Sequence, residues 1–67
     1  MIAVTINGER REFAQPLAFT ALVDALGLAG KRIAIERNGE IVPRSRFEQA
    51  AVADGDRLEI VVAVGGG

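Results

Sequence analysis

The chain has no cysteine and no histidine. That removes disulfides, thiolate metal sites, imidazole ligands to zinc or haem, and the nucleophile–base pairs on which most covalent catalysis depends. Ser45, Thr5 and Thr20 are left without a base to activate them. Tryptophan and tyrosine are missing as well. The three aromatics, Phe13, Phe19 and Phe47, suit a core better than a base-stacking platform. Neither sign of charge dominates, because eight Lys and Arg stand against nine Asp and Glu, for a net charge of −1. Nucleic-acid binding needs a clear basic excess and is not expected. The longest aliphatic run, Ile60 to Val64, is far below the ~20 residues of a membrane span, so no membrane partner is expected either. The opening residues turn polar by Thr5 and Asn7, too soon for a signal peptide. With no cysteine to mark an oxidising compartment, the expected location is the cytoplasm.

What the chain does have is apolar content. Sixty-seven residues make one small domain, and 49% of them are hydrophobic, enough to build a core without staples. Ile2, Val4 and Ile6 alternate with Ala3, Thr5 and Asn7, the period of a half-buried strand. Asn7-Gly8 is a strong hairpin signal, since both residues tolerate positive φ. The returning strand, Glu9 to Ala14, is polar except for Phe13 and suits a sheet edge. After Pro16, the residues Phe19, Leu22, Val23 and Leu26 form the stripe of a short helix over about Ala18 to Leu26, closed by Gly27. Ile33 to Arg37 reads as a third strand with Ile33 and Ile35 inward. Asn38-Gly39 reads as a second turn, and Glu40 to Val42 as a short strand stopped by Pro43. Ser45 stands as the cap of one helical turn across Arg46 to Gln49, with Glu48 completing a capping box and Phe47 plugging the core. Asp54-Gly55-Asp56 is a tight turn.

The last strand, Arg57 to Val64, is aliphatic at most positions and belongs in the middle of a sheet. Leu58, Ile60, Val62 and Val64 share one face, and Arg57, Glu59, Val61 and Ala63 the other. Apolar first and last strands with one amphipathic helix predict an α+β roll of the β-grasp type. It has a mixed sheet of four to five strands, with the helix packed on one face and the other face open. Residues 1–64 form this domain, and Gly65, Gly66 and Gly67 leave it as a flexible tail.

Little in this pattern suggests chemistry by the chain itself. Gly27-Leu28-Ala29-Gly30-Lys31-Arg32 is too short for a phosphate loop and has Arg32 where a Ser or Thr would hold magnesium. Asp54 and Asp56 lack the further ligands of a calcium loop. Arg32, Arg37, Arg44, Arg46 and Arg57 read either as a solvated face or as a docking face for an acidic partner. Val61 and Ala63 fall on the uncovered side of the last strand, as harmless exposure or as a strip that a partner grips while receiving the terminus. The remaining group is the terminal carboxylate. It is inert until an enzyme activates it with ATP as an acyl adenylate, and three extended glycines reach roughly 10 Å into such a site.

Taken with the opening Asn-Gly hairpin and the helix bearing Leu22, Val23 and Leu26, three further pieces are specific in combination. They are Ile35 through Arg44 with its Asn38-Gly39-Glu40-Ile41-Val42-Pro43-Arg44 core, Asp54-Gly55-Asp56, and the final glycines. Over essentially its whole length the chain resembles the ubiquitin-like sulfur carriers, most closely those of the thiamin pathway. The Val-Pro-Arg element favours these over the small subunit of molybdopterin synthase. The resemblance implies a carrier and co-substrate, with no catalysis and no cofactor of its own. Its Gly67 would be adenylated by an E1-like enzyme using ATP and converted to a thiocarboxylate with sulfur from a cysteine desulfurase system. Thiazole synthase would then take the sulfur. A carrier for molybdopterin or amino-acid synthesis, and an interaction module with an incidental tail, remain the alternatives. The resembled carriers often end in two glycines where this chain has three.

Overall fold

A computed structural model of the protein describes residues 1–63. The first strand, β1 (Ile2–Ile6), turns through Asn7 and Gly8, at φ 51° and 85°, into the antiparallel β2 (Glu9–Phe13). A type I′ turn requires positive φ at both central residues, which is why asparagine and glycine stand there. The same pair, Asn38 and Gly39 at 51° and 89°, joins β4 (Ile33–Arg37) to β5 (Glu40–Val42). The last strand, β7 (Arg57–Val62), runs parallel to β1 and antiparallel to β4. The sheet order is β2-β1-β7-β4-β5, with β1 and β7 interior neighbours as their apolar character predicted.

The helix α1 (Phe19–Ala25) is one residue shorter at each end than the stripe suggested. Ala18 at its N-terminus has no capping side chain. The orphan amides are met by the chain itself: Phe19 N donates to the Ala50 carbonyl at 3.2 Å and Thr20 N to that of Phe47 at 3.1 Å. At the other end Gly27, at φ 74°, closes a Schellman motif. Leu28 N donates to Val23 O and Gly27 N to Asp24 O. Phe19, Leu22 and Val23 are buried against Val4, Ile35, Leu58 and Ile60 from one face of the sheet, with Leu26 packed at the margin. Phe47 meets Phe19 with ring centroids 6.0 Å apart and closes the core from the side, as expected.

Three expectations are corrected. Ser45 caps nothing: a 3-10 turn spans Arg44–Arg46 behind Pro43, so Ser45 lies inside it and no capping box forms. Pro43 at ψ 143° is extended, which stops β5 and lets the turn begin at the next residue. A second ladder pairs β3 (Leu17–Ala18) with β6 (Ala51–Val52) across the start of the helix, where no strand was expected and Ala18 was read as helical. Val62, assigned to the core face, is 39% exposed, because β1 has already turned away at Asn7 and does not flank it. The expected continuation of the last strand to Val64 lies outside the described residues.

Candidate functional site

The element that leads towards the terminal glycines of the sequence is β7, and the sheet holds it from both sides. Along β4, its odd-numbered residues exchange main-chain hydrogen bonds, ending with Ala63 N on the Arg32 carbonyl at 2.9 Å. Along β1, the ladder stops at Ile6 and Leu58. There the Asn7 carboxamide takes the place of a further rung. Its Oδ1 accepts Ile60 N at 2.8 Å and its Nδ2 donates to Ile60 O at 3.1 Å. Asn38 does likewise at the start of the strand, with Oδ1 accepting Arg57 N at 2.9 Å. The two turn asparagines therefore do more than tolerate positive φ, because each uses its side chain to hold β7.

Beneath this lies a polar anchor where the sequence suggested only a tight turn. Asp56 is the one charged or polar residue found buried among those described, at 6% exposure. Its carboxylate accepts Ala53 N at 2.9 Å, the Arg37 Nε at 3.1 Å and, more weakly, the Asn38 Nδ2 at 3.3 Å. The Arg37 guanidinium also sits 5.8 Å over the Phe19 ring. Arg37 thus leaves the group of arginines read as a solvated or docking face. A signal existed: Arg37 follows Ile33 and Ile35 at spacing two, so its side chain had to point inward. Asp54, two residues earlier, has a lesser task and accepts Ala3 N at 2.7 Å from an exposed position.

Val61 lies on the uncovered face at 63% exposure, and Ala63 is exposed beyond it. Val61 pairs directly with exposed Ala34 on β4. Ile41 on β5, also 63% exposed, opposes Glu36 on the same face. Val61 and Ala63 share a shallow groove with Arg32, Ile33, Ala34 and Arg44. The strip expected from the alternation therefore exists, bordered by two arginines. Gly65, Gly66 and Gly67 lie outside the described residues. Among the residues described, no cluster of acidic side chains could hold a metal ion, and no helix is long and apolar enough to cross a membrane.

Comparison with known proteins agrees with this architecture. A crystal structure of the thiamine biosynthesis protein ThiS from Geobacter metallireducens superposes with a TM-score of 0.84 at 35% identity, covering 98% of this chain and all of that one. This likeness makes the fold a β-grasp. The sulfur carrier protein ThiS of Bacillus subtilis is 39% identical over 46 residues, 69% of this chain and 70% of that protein. A thiazole synthase from Paramagnetospirillum magneticum is 50% identical over 64 residues, but this chain spans only 20% of its length. The ThiS family model matches residues 4–67, which includes the terminal glycines, and the chain belongs to the ThiS family.

Proposed function

We propose that the protein is a sulfur carrier in the formation of the thiazole ring of thiamin, acting as a co-substrate of other enzymes. The observation that carries this reading is the family match, which runs through β7 to Gly67. The relative named thiazole synthase, half of whose aligned residues are identical, supports thiazole synthase as the enzyme that receives the sulfur.

The chemistry resides at Gly67. A carboxylate oxygen attacks the α-phosphate of ATP on an adenylating enzyme, and pyrophosphate leaves. A persulfide from a desulfurase system attacks the acyl carbon and displaces AMP. Reduction of the resulting acyl disulfide by a thiol leaves sulfur where oxygen had been. Gly65 and Gly66 carry no side chain to obstruct entry into a narrow active site. The domain presents β7 in a fixed direction through Asn7 and Asn38, and Val61 and Ala63 give partners an apolar strip beside it.

Intact mass tests the reading. Incubated with the adenylating enzyme, ATP and a persulfide donor, the chain should gain the oxygen-to-sulfur mass difference, located to Gly67 by fragmentation. An unchanged mass under conditions where the same enzyme thiolates another family member would overturn it.

A further inference from the structure

The two Asn-Gly pairs carry a reactivity that sulfur transfer does not use. An asparagine carboxamide followed by glycine is open to attack by the next main-chain nitrogen, because glycine has no side chain to shield its amide. The Gly8 nitrogen bonds to Cγ of Asn7, the bond from Cγ to Nδ2 breaks, and Nδ2 leaves with the Gly8 proton as ammonia. A five-membered imide results. Water then opens the ring at either carbonyl and leaves aspartate or isoaspartate. The reaction needs only water, and Asn38-Gly39 is subject to the same steps.

In the folded protein both carboxamides are held elsewhere, and by one strand. Asn7 Oδ1 accepts Ile60 N at 2.8 Å while Nδ2 donates to Ile60 O at 3.1 Å. Asn38 Oδ1 accepts Arg57 N at 2.9 Å, and its Nδ2 is 3.3 Å from the Asp56 carboxylate. The main-chain amides of the two asparagines also donate to β7, to Leu58 O at 3.0 Å and Arg57 O at 2.8 Å. Swinging either Cγ towards its glycine breaks the side-chain bonds and strands the amide of Ile60 or of Arg57.

The same contacts reject the product. Asn7→Asp keeps an acceptor for Ile60 N but turns a second acceptor on the Ile60 carbonyl, and Asn38→Asp sets a carboxylate against buried Asp56. Isoaspartate further lengthens the main chain at the tip of a hairpin, where the turn fixes the register of β1 with β2 or of β4 with β5.

We propose that Asn7-Gly8 and Asn38-Gly39 are deamidation sites gated by β7. They are protected while the strand is in the sheet and reactive when it leaves, and their conversion keeps it from returning. One element thus guards both sites, and its loss becomes irreversible with time. The inference does not rest on the carrier reading.

Peptide mapping of the full chain by mass spectrometry tests it, following the amide-to-acid mass gain at each asparagine over days at neutral pH. Both sites should convert at least about tenfold more slowly in the native protein than in the same chain unfolded in urea. Ile60→Val trims a core side chain of β7 and leaves every main-chain contact in place, so it should speed both sites roughly two- to tenfold in the folded protein. Equal rates in native and unfolded chains would overturn the proposal, and so would native rates that Ile60→Val leaves unchanged at both sites. Asn7→Asp and Asn38→Asp tolerate positive φ as asparagine does, so each should lower the urea midpoint through the misplaced carboxylate alone. Wild-type midpoints for both would show that the converted chain still takes β7 back, and the gate would be wrong.

Discussion

Asp54 and Asp56 flank the same glycine, yet their surroundings give them different weight. Asp54 is exposed and holds one main-chain amide, whereas Asp56 is buried under three donors, one from its own turn and two from Arg37 and Asn38 at the end of β4. Removing a buried acceptor strands its donors, and the stranded Arg37 would be a charge without its partner. Asp56→Ala should therefore cost about 3 kcal/mol of unfolding free energy, and Asp54→Ala about 1 kcal/mol or less, as read from urea midpoints. Equal losses would mean that burial does not distinguish the two carboxylates. The local sequence marks both residues as a turn and nothing more. What sets Asp56 apart is an arginine on another strand, and only the spacing of Ile33, Ile35 and Arg37 hinted at it.

Among the elements, β7 shows where alternation can be trusted and where it fails. Leu58 and Ile60 are buried and Glu59 and Val61 exposed, as period two requires, because β4 flanks the strand throughout while β1 reaches Leu58 and the Asn7 carboxamide carries that side on to Ile60. At Val62 the rule fails because a neighbouring strand has ended, a fact written in the position of Asn7 and not in β7 itself. The two-residue ladder of Leu17–Ala18 with Ala51–Val52 escaped notice for a different reason, since two residues have no period to read. Helix, hairpins and the central place of the first and last strands were legible because each rests on a repeating pattern or on an Asn-Gly pair. The two faces of β7 can be separated by substitution. Val61→Asp should shift the melting temperature by no more than a few degrees and weaken enzyme binding at least tenfold, whereas Leu58→Ala should cost about 2–5 kcal/mol of stability. A Val61 variant that unfolds would show the strip to be part of the core.

For the whole molecule, the core is complete by Ile60, with every buried hydrophobic residue of the described chain between Ile2 and that position. Deleting Gly66 and Gly67 should leave the denaturation curve unchanged and abolish sulfur transfer, so that circular dichroism and intact mass give opposite answers on one variant. A fall in melting temperature would mean that the glycines contribute to the fold. The contacts that complete the sheet span almost the full sequence, with Ala3 bonded to Asp54 across 51 residues and Asn7 to Ile60 across 53. During synthesis the β1–β2 hairpin and α1 leave the ribosome early but lack the strand that must lie beneath the helix. Loop closure over such a separation is slow compared with hairpin formation, and it cannot begin while β7 is still inside the exit tunnel. A chain that stalls before Val62 therefore remains unfolded, and proteolysis can remove it before a partner meets it.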